Sequence, residues 1–411
     1  MGHLESRELL YPLQSGFRSS HSCQTAVTRI IDTWLASINR SEITGAVFLD
    51  LRKAFDLVNH KILLKKLPIY GCDSGTVALF ESYLNNRKQK VYLNGNYSSE
   101  NTIRCGVPQG SVLGPLLFCI FINDMPLQVT SKDVQCDLFA DDSTLHTSNK
   151  EISQIQKNLQ QSLNDVNNWC CKNLMALNPS KTKSMVITTR QRHQLGIPPF
   201  QLHIDNTNIQ EVTEHRLLGI LIDNQLTWKS HIIKISKNVS RNIFLLSKLK
   251  VYLDTKYRKM FFYAHIKPYI DFVSNVWDNT SKNYLLILNS LYRRAVKTVL
   301  FESKIPTDEK FKALKILTLT DQHKLNKCLL MHNIIHNKAP NYLKCFINQP
   351  SRKQSVPRKT ILPLPLPRID IYKNSLSFSG AAMWNILPDD LKTIESTQLF
   401  KQKLKSYIPN Y

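Results

Sequence analysis

The sequence predicts an α+β fold, and three observations carry that prediction. Residues 134–147 read as a β-hairpin. Val134, Leu138 and Phe139 precede Asp141–Asp142, and Thr144, Leu145 and Thr147 follow, so the two acids fall at the turn. Ala46, Val47, Phe48 and Leu49 form a short apolar strand that ends on Asp50. Long segments at 151–174 and after Trp228 repeat their apolar residues with a helical period.

The elements follow in order. Residues 8–20 read as a loop. Residues 22–39 are helical, with Ala26, Ile30, Ile31, Trp34 and Leu35 on one face and Ser22 placed to cap. After the 46–50 strand come Leu51 to Asp56, where Asp56 is placed to bond nearby backbone or a local partner. Helices are predicted over 59–68 and 73–86, and strands near 89–93 and 100–104. The Gly/Pro-rich loop 106–115 feeds an apolar helix to about Leu127, with Ser111 near its N-cap. The hairpin is next, then the helix 151–174 with Ile155, Leu159, Leu163, Val166 and Trp169. Residues 177–183 lead into a strand at 184–188. Pro198 and Pro199 break the chain before strands near 200–204, 207–210 and 217–222. From Trp228 onward Ile232, Ile235, Val239, Ile243, Leu246 and Leu249 form one stripe, while Lys234, Lys237, Arg241 and Lys248 lie elsewhere on the same helix. Helices follow near 255–270, 281–300 and 320–337. Residues 350–368, with Pro350, Pro357, Pro363, Pro365 and Pro367, form a basic connector too rich in proline for helix or central strand. A helical tail covers 388–406.

The 411 residues carry a net charge of +23, unevenly spread. Residues 1–228 hold 22 basic and 20 acidic side chains, whereas 229–411 hold 32 and 11. A near-neutral half followed by a strongly basic one points to a polyanionic partner, nucleic acid first, with a solvated basic face or a membrane surface as alternatives. Nine scattered cysteines, an odd number, and no secretory signal point to reduced thiols in a nuclear or cytoplasmic protein that is not secreted. The longest apolar run, Val112 to Ile122, contains Gly114 and Pro115 and is too short to span a bilayer.

Adjacent acids at a tight turn have two readings: a solvated turn, or ligands for a hard divalent cation, which prefers oxygen donors. Placing Asp50 beside that turn brings three carboxylates to one point of a sheet. Their repulsion would raise at least one pKa without a metal. Two divalent ions there would suit in-line phosphoryl transfer, with the basic helices downstream gripping a duplex.

The ordered segments QSGFR (14–18), FLDLRKAFDLVNH (48–60), GVPQGSVLGPLLF (106–118), FADDS (139–143), LNPSKTK (177–183) and LLGI (217–220) resemble the reverse transcriptases of LINE-type (non-LTR) retrotransposons, nearest the jockey-like branch. The tail WNILPDDLK (384–392) with LFKQKLK (399–405) is also similar to tails of that branch. The resemblance covers nearly the whole chain. It implies a right-hand polymerase palm with partial fingers (1–228), a helical basic thumb (229–300), a helical extension (301–349), and a Pro-rich connector with a helical tail (350–411). It implies that Asp50, Asp141 and Asp142, with the Leu51 carbonyl, hold Mg²⁺ (or Mn²⁺). Phe55 becomes the steric gate that selects dNTPs. Pro108, Gln109 and Gly110 line the nucleotide and template side. Lys181 matches a lysine that protonates the leaving pyrophosphate. Leu217, Leu218, Gly219 and Ile220 form the primer grip, and Lys234, Lys237, Arg241 and Lys248 contact nucleic acid. The implied partners are an RNA template, a DNA primer and dNTPs, with no membrane.

The family's upstream fingers segment and endonuclease domain have no counterpart here, and Arg18 does not replace the missing triphosphate contacts. The expectation is a 5′-truncated copy with intact metal acids and nucleotide binding weak or lost. The alternative is an inactive nucleic-acid-binding remnant. Cys328, His332 and His336, four residues apart on one helix, with the more distant Cys345, raise the question of zinc. The spacing favours a structural role.

Overall fold

The computed structural model describes residues 1–347 and 361–408. Part of the Pro-rich connector, 350–360, therefore lies outside the described residues; 361–367 form neither helix nor strand. The chain divides into two compact units: Met1–Ser22 with Glu42–Thr213, and Cys23–Ser41 with Glu214–Tyr411. Helix α1 (Cys23–Asn39) thus belongs with the C-terminal half, although both its flanks belong to the other unit.

The first unit is built on a five-stranded sheet. Its strands are β1 (Ile43–Leu49), β2 (Gln135–Phe139), β3 (Asp142–Asn149), β4 (Lys183–Ile187) and β5 (Gln210–Glu211), in the spatial order β5-β4-β1-β3-β2. β1 is central and antiparallel to both neighbours; only β5 joins in parallel. All seven β1 residues are buried, which is why its sequence, Thr44 apart, is apolar rather than alternating. Gly45 sits where a Cβ would meet Ile155 Cγ2 at 2.4 Å and Leu159 Cδ1 at 2.9 Å, so glycine lets a helix lie close on this strand.

Helices α2 (His60–Lys66), α3 (Ser74–Leu84), α4 (Leu113–Ile122) and α5 (Ile152–Lys172) complete the unit. Asn59 caps α2 through Ile62 N (3.1 Å), and Asp73 caps α3 through Thr76 N (2.6 Å). The predicted stripe of α5, Ile155 to Trp169, is buried in the core. Each such side chain contributes roughly 1.5–3 kcal/mol before entropy is counted. The strands expected at 89–93 and 100–104 shrink to two-residue ladders, Lys88–Gln89 with Asn101–Thr102 and Tyr92–Leu93 with Asn96–Tyr97. All eight residues are exposed, so no buried face extends the pairing.

The second unit opens with the hairpin β6 (Glu214–Leu217) and β7 (Ile220–Asp223) and continues in helices. The main ones are α6 (Lys229–Leu249), α7 (Lys282–Val299), α8 (Leu319–Ile335) and α9 (Thr397–Tyr407). The helix expected over 255–270 is broken into Thr255–Phe261, a π-turn at Phe262–Ile266, and Lys267–Asp271. Pro268 lacks an N–H and its ring crowds the preceding turn, which the wider π geometry accommodates. α1 joins this unit through Asp32. Its buried carboxylate accepts hydrogen bonds from Leu376 N (2.6 Å), Ser377 N (2.9 Å) and Ser377 Oγ (2.5 Å).

Candidate active site

The hairpin β2–β3 closes in two residues. Phe139 pairs with Asp142, leaving Ala140 and Asp141 as the turn, and Ala140 takes a left-handed φ of 57°. On the other side of β3, Ser143 pairs with Leu49 of β1. Asp50 follows Leu49, and Asp142 precedes Ser143 on the neighbouring antiparallel strand. The ladder itself therefore brings these two carboxyl-bearing residues side by side, with Asp141 next in the turn. The Asp142 carboxyl is pushed up, first by desolvation and then by the charges of Asp141 and Asp50. The residue is nonetheless exposed to solvent. Among the described residues, no three His, Cys, Asp or Glu side chains are gathered closely enough to hold a metal ion as they stand.

The end of β1 is fixed by the 176–182 segment. Asp50 N donates to Thr182 Oγ1 (3.3 Å), Asn178 N donates to Asp50 O (2.8 Å), and Arg52 N donates to Ala176 O (2.9 Å). The bridge between Leu51 and Leu177 uses the Asp50 carbonyl and the Arg52 amide, which leaves the Leu51 carbonyl outside that ladder. Lys181 is exposed in the same turn, its own N–H donating to Asn178 O (3.2 Å).

The turn has a further support that no sequence pattern marks. Residues 13–16 run beside β2: Ser15 N donates to Leu138 O (2.8 Å), and Leu138 N donates to Leu13 O (3.0 Å). The buried Gln14 Oε1 accepts from Gly16 N (2.7 Å) and Ala140 N (3.1 Å). A Cβ on Gly16 would lie 2.3 Å from Ala140 N. Part of the QSGFR segment is thus a brace for the acidic turn. Arg18, in the same segment, donates to Tyr11 O (3.2 Å) and Gln14 O (3.1 Å). Gln14 carries a weak sequence signal, since a polar residue in a loop is ordinary until its burial is known.

Phe55 stacks on Phe118 of α4, centroids 4.2 Å apart, and meets Phe17 edge-on at 6.3 Å. The 106–110 loop is held against the same segment: Val107 N donates to Phe55 O (2.9 Å) and Gly106 N to Val58 O (2.7 Å). Gln109 Nε2 donates to Asp56 Oδ1 (3.0 Å), a partner 53 residues away rather than a local one. Pro108 is half-buried, whereas Gln109 and Gly110 are exposed. Pro108 and Gln109 border a cavity of about 860 Å³ that Lys53, Arg87, Lys88 and Arg104 also line. These four cations come from three segments, of which only Arg87–Lys88 is basic as a run.

In the second unit, Leu217 to Ile220 form the β6–β7 turn, with Leu218 and Gly219 at positive φ. Asp223 ties this hairpin to α6 by accepting from Gln225 N, Thr227 N and Trp228 N (3.1, 3.0 and 2.8 Å). His231 Nδ1 accepts from Leu221 N (3.2 Å), and burial, with Lys234 nearby, lowers its pKa to about 4. Lys234, Lys237, Arg241 and Lys248 are all exposed on α6. Cys328 is buried and its thiol pushed up to about 12 by desolvation. His332 Nε2 donates to Ile394 O (2.7 Å) and its ring stacks on Phe400 at 4.3 Å, whereas Cys345 is exposed. All nine cysteines are free thiols. No helix among the described residues is long and apolar enough to cross a membrane.

An antiparallel sheet with acids at a hairpin tip and at the end of the next strand, followed by a basic helical unit, is the palm-and-thumb architecture of a template-directed polymerase. The signature described as "Reverse transcriptase (RNA-dependent DNA polymerase)" matches residues 2–222, and the chain belongs to that family. It is 28% identical over 285 residues to the probable RNA-directed DNA polymerase from transposon BS of Drosophila melanogaster, covering 67% of this chain and 30% of that protein. It is 27% identical over 296 residues to the RNA-directed DNA polymerase from mobile element jockey of Drosophila funebris (70% and 31%). It is 26% identical over 385 residues to the probable RNA-directed DNA polymerase from transposon X-element of Drosophila melanogaster (89% and 40%). The chain therefore spans about a third of the length of these relatives.

Proposed function

We propose that this chain performs RNA-directed DNA synthesis for a non-LTR retrotransposon, extending a DNA primer on an RNA template with dNTPs. The observation that carries the reading is the β1–β3 register, which sets Asp50 beside Asp142 with Asp141 in the adjoining turn. The donor set is all oxygen and formally triply negative, which fits Mg²⁺ or Mn²⁺. Asp50, Asp141 and Asp142, with the Leu51 carbonyl, would hold the ions. When bound, the metal would activate the primer hydroxyl and stabilise the leaving pyrophosphate.

The remaining roles belong to the chain's own groups. Phe55, held by its stack on Phe118, presents a fixed ring that excludes a ribose 2′-OH. Pro108, Gln109 and Gly110, with the basic wall of Lys53, Arg87, Lys88 and Arg104, receive nucleotide and template. Lys181, exposed on the turn that binds the Asp50 backbone, donates a proton to the departing pyrophosphate. Leu217 to Ile220 hold the primer strand, and Lys234, Lys237, Arg241 and Lys248 contact phosphates. The free thiols fit a reducing nuclear or cytoplasmic compartment.

The test is primer extension on an RNA template with Mg²⁺ or Mn²⁺, with wild type and Asp141→Asn in parallel. The reading expects extension that the substitution abolishes while primer–template binding persists. Extension undiminished by Asp141→Asn would refute it. Binding without any extension by wild type would leave the chain a nucleic-acid-binding remnant.

A further inference from the structure

The second unit contains a cavity of about 230 Å³ on which four lysines converge: Lys267, Lys315, Lys401 and Lys405. They come from three separate parts of the chain, so the fold adds Lys267 and Lys315 to the two lysines of the 401–405 tract. One carboxylate, Asp271, shares the lining, and it is already paired with Lys267 and accepts from Asn326 Nδ2 (3.3 Å). Among the described residues, Lys315, Lys401 and Lys405 have no carboxylate within ion-pair distance, so the cavity carries a formal excess of three positive charges.

That arrangement is costly as it stands. Lys401 and Lys405 are four apart on α9, where like charges on one helical face repel. Lys267 is largely buried, its side chain 16% exposed. Desolvation holds the Lys267 ammonium below its ordinary range, and Lys405 and Lys401 push it down further against the pull of Asp271. Lys405 is lowered in the same way, by desolvation and then by Lys401. A multivalent anion would reverse each of these penalties together. The volume equals that of about eight liquid waters, too much for one carboxylate to fill and too little for a duplex. Lysine recognises phosphate as a point charge, without the planar geometry that arginine imposes.

We infer that this cavity binds a compact phosphate-bearing anion, of the size of a di- or triphosphate or of the phosphorylated end of a nucleic-acid strand. The inference does not depend on the reading of the palm acids. None of its residues serves that site.

The full chain would be titrated calorimetrically, without divalent metal, with pyrophosphate and tripolyphosphate. Single-stranded oligonucleotides bearing either a 5′-phosphate or a 5′-hydroxyl would follow. The comparison proteins are Lys401→Gln/Lys405→Gln and, as a charge-matched control, Lys312→Gln/Lys403→Gln. Both changes in the test variant fall on exposed positions of α9, whose packing is done by Phe400 and Leu404, and thermal unfolding without ligand checks that the fold survives. Wild type and control should bind tripolyphosphate at one site and gain thermal stability from it. The test variant should bind about 10- to 100-fold more weakly, because two charge-assisted contacts are lost. A preference for the 5′-phosphorylated strand that disappears in the test variant assigns the site to a strand end. No such preference, with tripolyphosphate binding intact, assigns it to a free anion. Absence of phosphate binding by wild type, or equal losses in the test and control variants, would overturn the inference.

Discussion

Gly16→Ala tests the brace beneath the acidic turn without touching an acid. Gly16 does not need a left-handed φ, so alanine introduces no backbone strain of its own. The added methyl would lie 2.3 Å from Ala140 N, 3.0 Å from Ala140 Cα and 3.1 Å from Ala140 Cβ. Two of these atoms are backbone, with no flexible side chain to yield, so segment and turn must part by about 1 Å to regain ordinary contact. Overpacking of this kind costs about 1–3 kcal/mol. Parting also stretches the Ala140 N bond to Gln14 Oε1 (3.1 Å) and the Ser15 N bond to Leu138 O (2.8 Å), each worth about 1 kcal/mol. The expected loss is therefore about 2–4 kcal/mol of stability by denaturant titration. In primer extension, a shift of about 1 Å at Asp141 lowers turnover by about 100-fold. Gly75→Ala in α3 is the control. Its nearest contact is 3.5 Å from Asp73 Oδ1, and alanine there should leave stability unchanged or raise it. If Gly16→Ala matched wild type in stability, residues 13–16 would not be seated on the turn and the brace would be wrong, whatever the activity.

Other expectations follow from named contacts. Asp32→Ala strands the Leu376 amide and both Ser377 donors inside the second unit, so chemical denaturation should show a loss of at least about 3 kcal/mol; a change below about 1 kcal/mol would contradict the α1 attachment. His231 is neutral in the fold, with a pKa of about 4 against 6.5 unfolded. Below pH 6.5 the unfolded chain takes up a proton that the folded one refuses, so stability falls as pH drops from about 6.5 to 4, by up to about 3 kcal/mol. His231→Gln should flatten that limb in thermal unfolding measured from pH 7 to 5, and an unchanged slope would count against it. Lys234→Gln and Lys237→Gln should each reduce the log–log salt slope of primer–template binding by about 1, whereas slopes equal to wild type would remove α6 from the interface.

What could be read from residues alone was what repeats or alternates. β1 is legible because both faces are buried, so Val47, Phe48 and Leu49 had to be apolar. The α5 stripe is legible because one face alone meets the core. Asp141 and Asp142 at a two-residue turn follow from flanking β-formers, and the register that brings Asp50 to them follows once β1 pairs with β3. Three things had no local signature. The affiliation of α1 depends on Asp32 meeting residues more than 300 positions later. The buried role of Gln14 depends on which backbone lies opposite it. Val91, Tyr92, Tyr97 and Thr102 favour strands, but the paired residues are all exposed, and propensity without burial yields only two-residue ladders.

The partition of the polypeptide has a consequence for biogenesis. Residues 23–41 are synthesised long before their partners at 376–377. Until then Asp32 has none of these donors to bond, and a piece of the C-terminal unit made nearly 350 residues before waits for the rest of it. Such long sequence separation slows folding. It also means that scission between 213 and 214 would yield no self-sufficient halves: the later fragment would lack a helix, and the earlier one would trail it unsheltered.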